Sequence, residues 1–185
     1  MTIALEKING EVFMAVDRIV RLGPEYVSFL KVQAAGSPRR RARICAHRHS
    51  GDSLHEMLIV VAADSYIRPH KHPNKIESFH VVEGSVDVVV LDDGGAIVEL
   101  VELGDASSGK AFFYRLADSL YHTLLIHSAF LVMHEVTNGP FVADETVLAP
   151  FAPPEGQRIE ALAYVAELRR QAATLRISSL ETHTP

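Results

Sequence analysis

Two histidines and a glutamate fall within one short stretch, His70-Lys71-His72-Pro73-Asn74-Lys75-Ile76-Glu77, and Gly84 follows on the same run. This spacing demands a fold in which an extended segment, a turn and a second strand converge on one point. Residues two apart in an extended chain project to the same face, so His70 and His72 bite one ion together. Glu77 has the opposite parity, but Pro73-Asn74 reads as a turn, and a turn resets the face so that the carboxylate swings back toward the imidazoles. Imidazoles with one carboxylate suit divalent iron, manganese, nickel, copper or zinc and are too nitrogen-rich for calcium or magnesium. A lone HxH is no more than a pair of loop histidines. The full H-x-H-x4-E-x6-G spacing, set between strand-like runs and followed by His122 on another such run, reads as a metal site.

The spacing resembles the first signature of the cupin superfamily, in which two histidines, a glutamate and a histidine from a second motif hold one metal inside a small β-barrel. The second motif departs from that pattern. Gly104 and Gly109 precede Phe113-Tyr114-Arg115-Leu116, and His122 follows, but Leu116-Ala117-Asp118-Ser119 stands where the family places a proline and a glycine. A closer resemblance is to the WbuC-like cupin-fold metalloproteins. It is carried by Ser37-Pro38-Arg39-Arg40-Arg41, Pro69-His70-Lys71-His72-Pro73, Lys75-Ile76-Glu77-Ser78-Phe79 and Gly139-Pro140-Phe141, over residues 37 to 153. The resemblance implies a single cupin-type β-barrel (double-stranded β-helix) and one divalent transition metal (Fe, Mn, Ni or Zn) on His70, His72, Glu77 and His122. It also implies an association with polysaccharide biosynthesis and pairing into a homodimer, for which the segments before Arg41 and after Pro154 offer apolar faces. Light scattering at micromolar concentration is expected to report twice the chain mass.

The pattern of elements agrees with a mainly β chain. Extended runs are expected at 41–47, 54–62, 76–82, 85–91, 96–103, 111–116, 122–126 and 130–136, with Asp92-Asp93-Gly94-Gly95 as a hairpin turn. Many short strands at near-regular spacing mean a sandwich or barrel. A helix is expected from Pro24 to about Ala35, with proline at its opening, Gly36 as its stop and Tyr26, Phe29 and Leu30 on one side. A second is expected from Gln157 to about Leu175, with Ile159, Leu162, Ala163 and Ala166 at helical spacing, docking on its own barrel or on a partner. This divides the chain into an N-terminal extension with its helix (1–40), a cupin barrel (41–153) and a C-terminal helix and tail (154–185).

At 185 residues the chain fits one domain that buries a core without disulfides. A net charge of -5 argues against a general nucleic-acid binder. Cys45 is the only cysteine, which excludes an intrachain disulfide and fits a reducing compartment. Charges at Glu6 and Lys7 interrupt the apolar core a signal peptide needs, and no segment reaches membrane-spanning length, so a cytoplasmic location is expected.

Other residues carry chemical potential. Arg41, Arg43, Cys45 and His47 alternate with apolar neighbours, so an extended segment puts two guanidiniums and an imidazole on one face. Such a face either binds an anionic substrate, to which arginine's planar fork is suited, or is simply solvated. His55-Glu56 is no zinc-protease motif, because position 59 is isoleucine. By parity Glu77, Phe79 and Val81 share a face and His80 points away. Tyr114 and Glu135 are the candidates for general acid or base. The function expected is that of a metal-dependent enzyme of isomerase or epimerase type acting on a small anionic or polar metabolite such as a sugar, sugar nucleotide or carboxylate. The alternatives are an Fe(II) dioxygenase and a non-catalytic ligand sensor braced by its metal.

Overall fold

A computed structural model describes residues 3–142 and 145–181, so the first two residues of the N-terminal stretch and the last four of the C-terminal tail lie outside the described residues. The chain is mainly β. Its strands are β1 (Leu5–Lys7), β2 (Val12–Ala15), β3 (Arg41–Cys45), β4 (Leu54–Ala62), β5 (His70–Lys71), β6 (Glu77–Glu83), β7 (Ser85–Leu91), β8 (Ile97–Gly104), β9 (Phe113–Leu116), β10 (Tyr121–Ile126), β11 (Phe130–Asn138) and β12 (Val147–Leu148). Two helices, α1 (Pro24–Gly36) and α2 (Arg158–Glu181), flank them. One sheet runs β1-β2-β3-β4-β11-β6-β9 and the other β12-β5-β10-β7-β8. A bridge from Leu103 to Ala111 ties the two sheets along one side. Two sheets with a helix at either end of the barrel strands are the mainly β architecture that the strand pattern predicts.

The alternation of each strand decides what faces inward. Met57, Ile59 and Val61 of β4, Phe79 and Val81 of β6, Val86, Val88 and Val90 of β7 and Leu131 and Met133 of β11 fill the space between the sheets. The outer faces are apolar too, because a helix covers each sheet. Tyr26, Leu30 and Ala34 of α1 pack on Ala42, Ile44, Leu58, Val60 and Val132, and burial of a side chain such as Leu30 contributes about 1.5–3 kcal/mol. Leu168 and Ala172 of α2 pack on Val89, Leu91, Tyr121 and Leu125, so α2 docks on its own barrel. Strand β7 is therefore buried on both faces and reads as an almost unbroken apolar run.

The N-terminal segment does more than carry a helix. Strand β2 pairs parallel with β3, and β1 pairs with β2, which extends the larger sheet by two strands. Gly84 joins β6 to β7 at a φ of 94°, where a Cβ would stand 2.5 Å from the Phe130 carbonyl oxygen. Only glycine fits a turn that is both left-handed and this tightly packed.

The one polar interruption of β7 is Asp87, which is fully buried on the outer face. His127 Nε2 lies 2.7 Å from its Oδ2, and the Arg176 guanidinium of α2 hydrogen-bonds the same oxygen. Arg169, about two helical turns earlier, donates to the Ile126 carbonyl at 2.7 Å. Charge as well as apolar packing thus fastens α2 to the barrel.

Candidate metal centre

Strand β5 is only two residues long, yet it lies between β10 and β12, and its first residue, His70, stands directly opposite His122. The two imidazoles are oriented in the same way. His70 Nδ1 is 2.9 Å from the Arg68 carbonyl and His122 Nδ1 is 3.0 Å from the Leu120 carbonyl, in each case two residues earlier. A proton on Nδ1 donated to that carbonyl leaves the Nε2 lone pair free to coordinate. His72 Nδ1 lies 3.4 Å from Thr146 Oγ1. The three histidines present ligand atoms that all lie within 4.8 Å of one another.

Glu77 opens β6 beside the three histidines. Its Oε1 is 3.0 Å from His122 Nε2 and its Oε2 is 3.9 Å from His72 Nε2. The turn at Pro73-Asn74 resets the face as the sequence implies. His80 points outward, exposed beside Phe112 and Phe113.

Electrostatics prepares these groups for a cation. Burial, helped by the neighbouring His122, pushes the His70 pKa down to about 4, and burial lowers that of His72. Burial opposes charge on Glu77, but the hydrogen bond and field of His122 outweigh it and hold the carboxyl below its ordinary value. Burial likewise disfavours a charged His122, yet Glu77 raises its pKa. His70 and His72 are therefore held in the neutral form that coordinates, while Glu77 and His122 each favour the charged form of the other. Metal ligands must be deprotonated, and three converging imidazoles beside a carboxylate fit a divalent transition metal.

The register of the larger sheet defines what lies below the ligands. Cys45, Met57, Glu135, Phe79 and Tyr114 are successive partners across β3, β4, β11, β6 and β9 and share the inner face. The Tyr114 hydroxyl is buried without a hydrogen-bond partner, and burial followed by the Glu77 charge raises its pKa. Glu135 makes no hydrogen bond or ion pair with the described residues. Burial, and next the Glu77 charge, pushes its pKa up to about 7, against the pull of Arg43 and His122. Across the row nearer the ligands, His55, Thr137 and Glu77 are partners. His55 is buried there and stacks on His47, with ring centroids 4.0 Å apart and planes 9° apart. His55 faces inward because it shares the parity of Met57, Ile59 and Val61 along β4.

The Glu135 environment has a consequence for stability. Its pKa is about 7 in the folded protein against 4.5 for the free group, so the metal-free fold holds a proton that the unfolded chain has lost across that window. Stability from this group is present below the unfolded value and disappears as pH rises through the folded one. For a half-buried side chain the swing is about 2 kcal/mol. Chemical denaturation of metal-free protein from pH 4.5 to 8 is expected to show this decline in the wild type and a flatter profile in Glu135→Gln. Parallel profiles would assign the pH dependence elsewhere.

The three residues of the β3 face separate. Arg41 is held by Glu155 at 2.8 Å. His47 is engaged by the His55 stack, and its Nδ1 accepts the Glu56 amide at 3.3 Å. Arg43 has no carboxylate within 4.0 Å among the described residues, and its guanidinium lies 3.8 Å from Met57 Sδ.

A family model described as "Domain of unknown function (DUF6016)" matches residues 23–103, a span that holds His70, His72 and Glu77 and stops short of His122. No curated protein sequence matches the chain. Among solved structures, the chain is similar to protein SO0799 from Shewanella oneidensis, at 13% identity and a TM-score of 0.46, covering 56% of this chain and 66% of that one. It is also similar to a variant of oxalate decarboxylase from Bacillus subtilis, at 16% identity and a TM-score of 0.43, covering 52% of this chain and 24% of that one. The cupin domain of Cnp3 from Schizosaccharomyces pombe matches at 12% identity and a TM-score of 0.42, over 54% of this chain and 64% of the domain. The chain thus spans less than two thirds of the length of each of these structures.

Proposed function

We propose that the chain is a mononuclear divalent-metal enzyme of the WbuC-like cupin kind. On this reading it moves a proton on a small polar metabolite, a sugar, sugar nucleotide or carboxylate, in an isomerisation or epimerisation that serves polysaccharide biosynthesis. The observation that carries the reading is the pairing of a preorganised donor set with an unengaged carboxyl beside it. His70, His72, His122 and Glu77 hold the metal, which supplies Lewis acidity to a substrate oxygen when bound. Glu135 accepts the proton from the substrate carbon at a carboxylate oxygen and returns it to the adjacent position. A pKa of about 7 suits both transfers near neutral pH. The Tyr114 hydroxyl, kept protonated by its surroundings and lacking a protein acceptor, donates a hydrogen bond to substrate oxygen.

The test uses metal-loaded protein in deuterated water with sugars, sugar nucleotides and hydroxy or keto acids. Deuterium is expected to enter the substrate carbon in the wild type and not in Glu135→Gln, while metal content is the same. Exchange that persists in Glu135→Gln removes that residue from the role. Dioxygen consumption by the iron form without deuterium entry would replace the isomerase reading with the oxygenase one.

A further inference from the structure

Among the arginines that cluster around β3, three have carboxylate partners. Arg39 bonds Glu11, Arg40 pairs with Asp64 at 3.0 Å and Arg41 with Glu155 at 2.8 Å. Arg43 is the exception, with no carboxylate within 4.0 Å among the described residues, although it is half-buried and on the inner face. A guanidinium taken partly out of water without a hydrogen-bonded carboxylate keeps its donor fork open to one. The inner face places it one row from Glu135, across β4 and β11: Arg43 partners Ile59, and Ile59 partners Met133, two residues from Glu135. Glu135 in turn lies one strand from β6, which carries Glu77. Arg43, Glu135 and the ligand set therefore line one continuous inner wall.

We infer that Arg43 is the carboxylate anchor of the substrate, and that the substrate is a hydroxy or keto acid whose oxygenated end reaches the metal while its carboxylate rests on the guanidinium. The metal end of this inference rests on the function proposed above, and the Arg43 end does not. Charge selects a carboxylate over a phosphate. Arg43 supplies one positive charge, and Glu77 and Glu135 already stand on the same wall. A phosphate with about 1.5 to 2 negative charges would leave an excess beside them, whereas a carboxylate is matched by one guanidinium in a bidentate fork. Glu135 lies between the two ends, beside the carbon that joins the oxygenated group to the carboxylate.

Isothermal titration of zinc-loaded protein with succinate, lactate, pyruvate and inorganic phosphate tests this. The proteins compared are wild type, Arg43→Met, Arg43→Lys and Arg41→Met, with metal content measured on each and folding checked by thermal melting. Wild type is expected to bind at least one of the carboxylates more tightly than phosphate. Arg43→Met is expected to lose about ten- to a hundredfold in affinity at unchanged metal content. Arg43→Lys, which keeps the charge without the fork, is expected to fall between, and Arg41→Met to bind like the wild type. Equal carboxylate affinity in wild type and either Arg43 variant overturns the proposal, as does tighter binding of phosphate or no binding of any acid by the wild type. A repeat with metal-free protein separates the two claims: residual carboxylate binding that still depends on Arg43 leaves the anchor standing even if the metal reading fails.

Discussion

Protein in which His70 and His72 are both replaced by alanine is expected to purify folded and to carry no stoichiometric divalent metal, whereas the wild type carries one ion per chain. Both side chains enter the site from the same short segment, with Nδ1 groups tethered to the Arg68 carbonyl and near Thr146, so their removal takes away two of four converging donors. His122 and Glu77 then remain as a hydrogen-bonded pair that satisfies itself without a cation. Glu77→Gln is expected to weaken binding less, because an amide oxygen still coordinates while the charge is lost. Elemental analysis after dialysis reads both outcomes. Wild-type metal content in the folded double variant would place the ion elsewhere.

Asp87→Ala is expected to produce a large loss of stability for a polar residue outside the metal centre. The carboxylate is fully buried and receives His127 and Arg176, so its removal takes the acceptor from the imidazole and leaves Arg176 paired with Glu102 at 2.9 Å. Breaking a buried pair by deleting one partner costs about 3–5 kcal/mol. The lower end applies here, since the Arg176 side chain is 34% exposed and water takes over part of its charge. About 3 kcal/mol corresponds to a fall in melting temperature of roughly 6–12 °C for a chain of this size. Replacing both partners, as in Asp87→Leu with Arg176→Met, is expected to recover most of the loss. A melting temperature for Asp87→Ala within 2 °C (roughly) of the wild type would mean that α2 is held by its apolar contacts alone.

The parts of the fold that repeat a strong local pattern were readable in the sequence. Strand β7 runs over Ser85–Leu91 and β4 over Leu54–Ala62 as their apolar content implies, and α1 begins at Pro24 with the proline that fixes its first turn. What escaped has little local signal. Strands β1, β5 and β12 hold two or three residues each and exist only because a neighbouring strand pairs with them. The start of β2 at Val12 depends on a parallel partner, β3, beyond an intervening helix. For the site, the geometry of His70, His72 and Glu77 follows from residue parity and one turn, and the structure brings His122 to them across the sheet despite the degenerate second motif. Parity also assigned His80 outward. It put Arg41, Arg43 and His47 on one face but could not foresee that Glu155, far along the chain, takes Arg41 and that His55 stacks on His47. Asp87 was invisible as a structural residue because an aspartate within a valine run reads as a solvent-facing position until a helix with two arginines is laid over it.

The brevity of β5 bears on how the chain reaches its folded state. His70 pairs with His122 on one side and with Leu148 on the other, partners that lie far along the chain. Loop-closure entropy makes such distant pairings late events, so β5 gains its place only after β10 and β12 have arrived. The four donors therefore do not exist as a site in partly folded chains, and a cation that binds them binds the completed barrel alone. By mass action such an ion draws the population toward closure in proportion to its concentration over its dissociation constant. Adding a divalent metal during refolding is in this sense expected to raise the yield of folded chain.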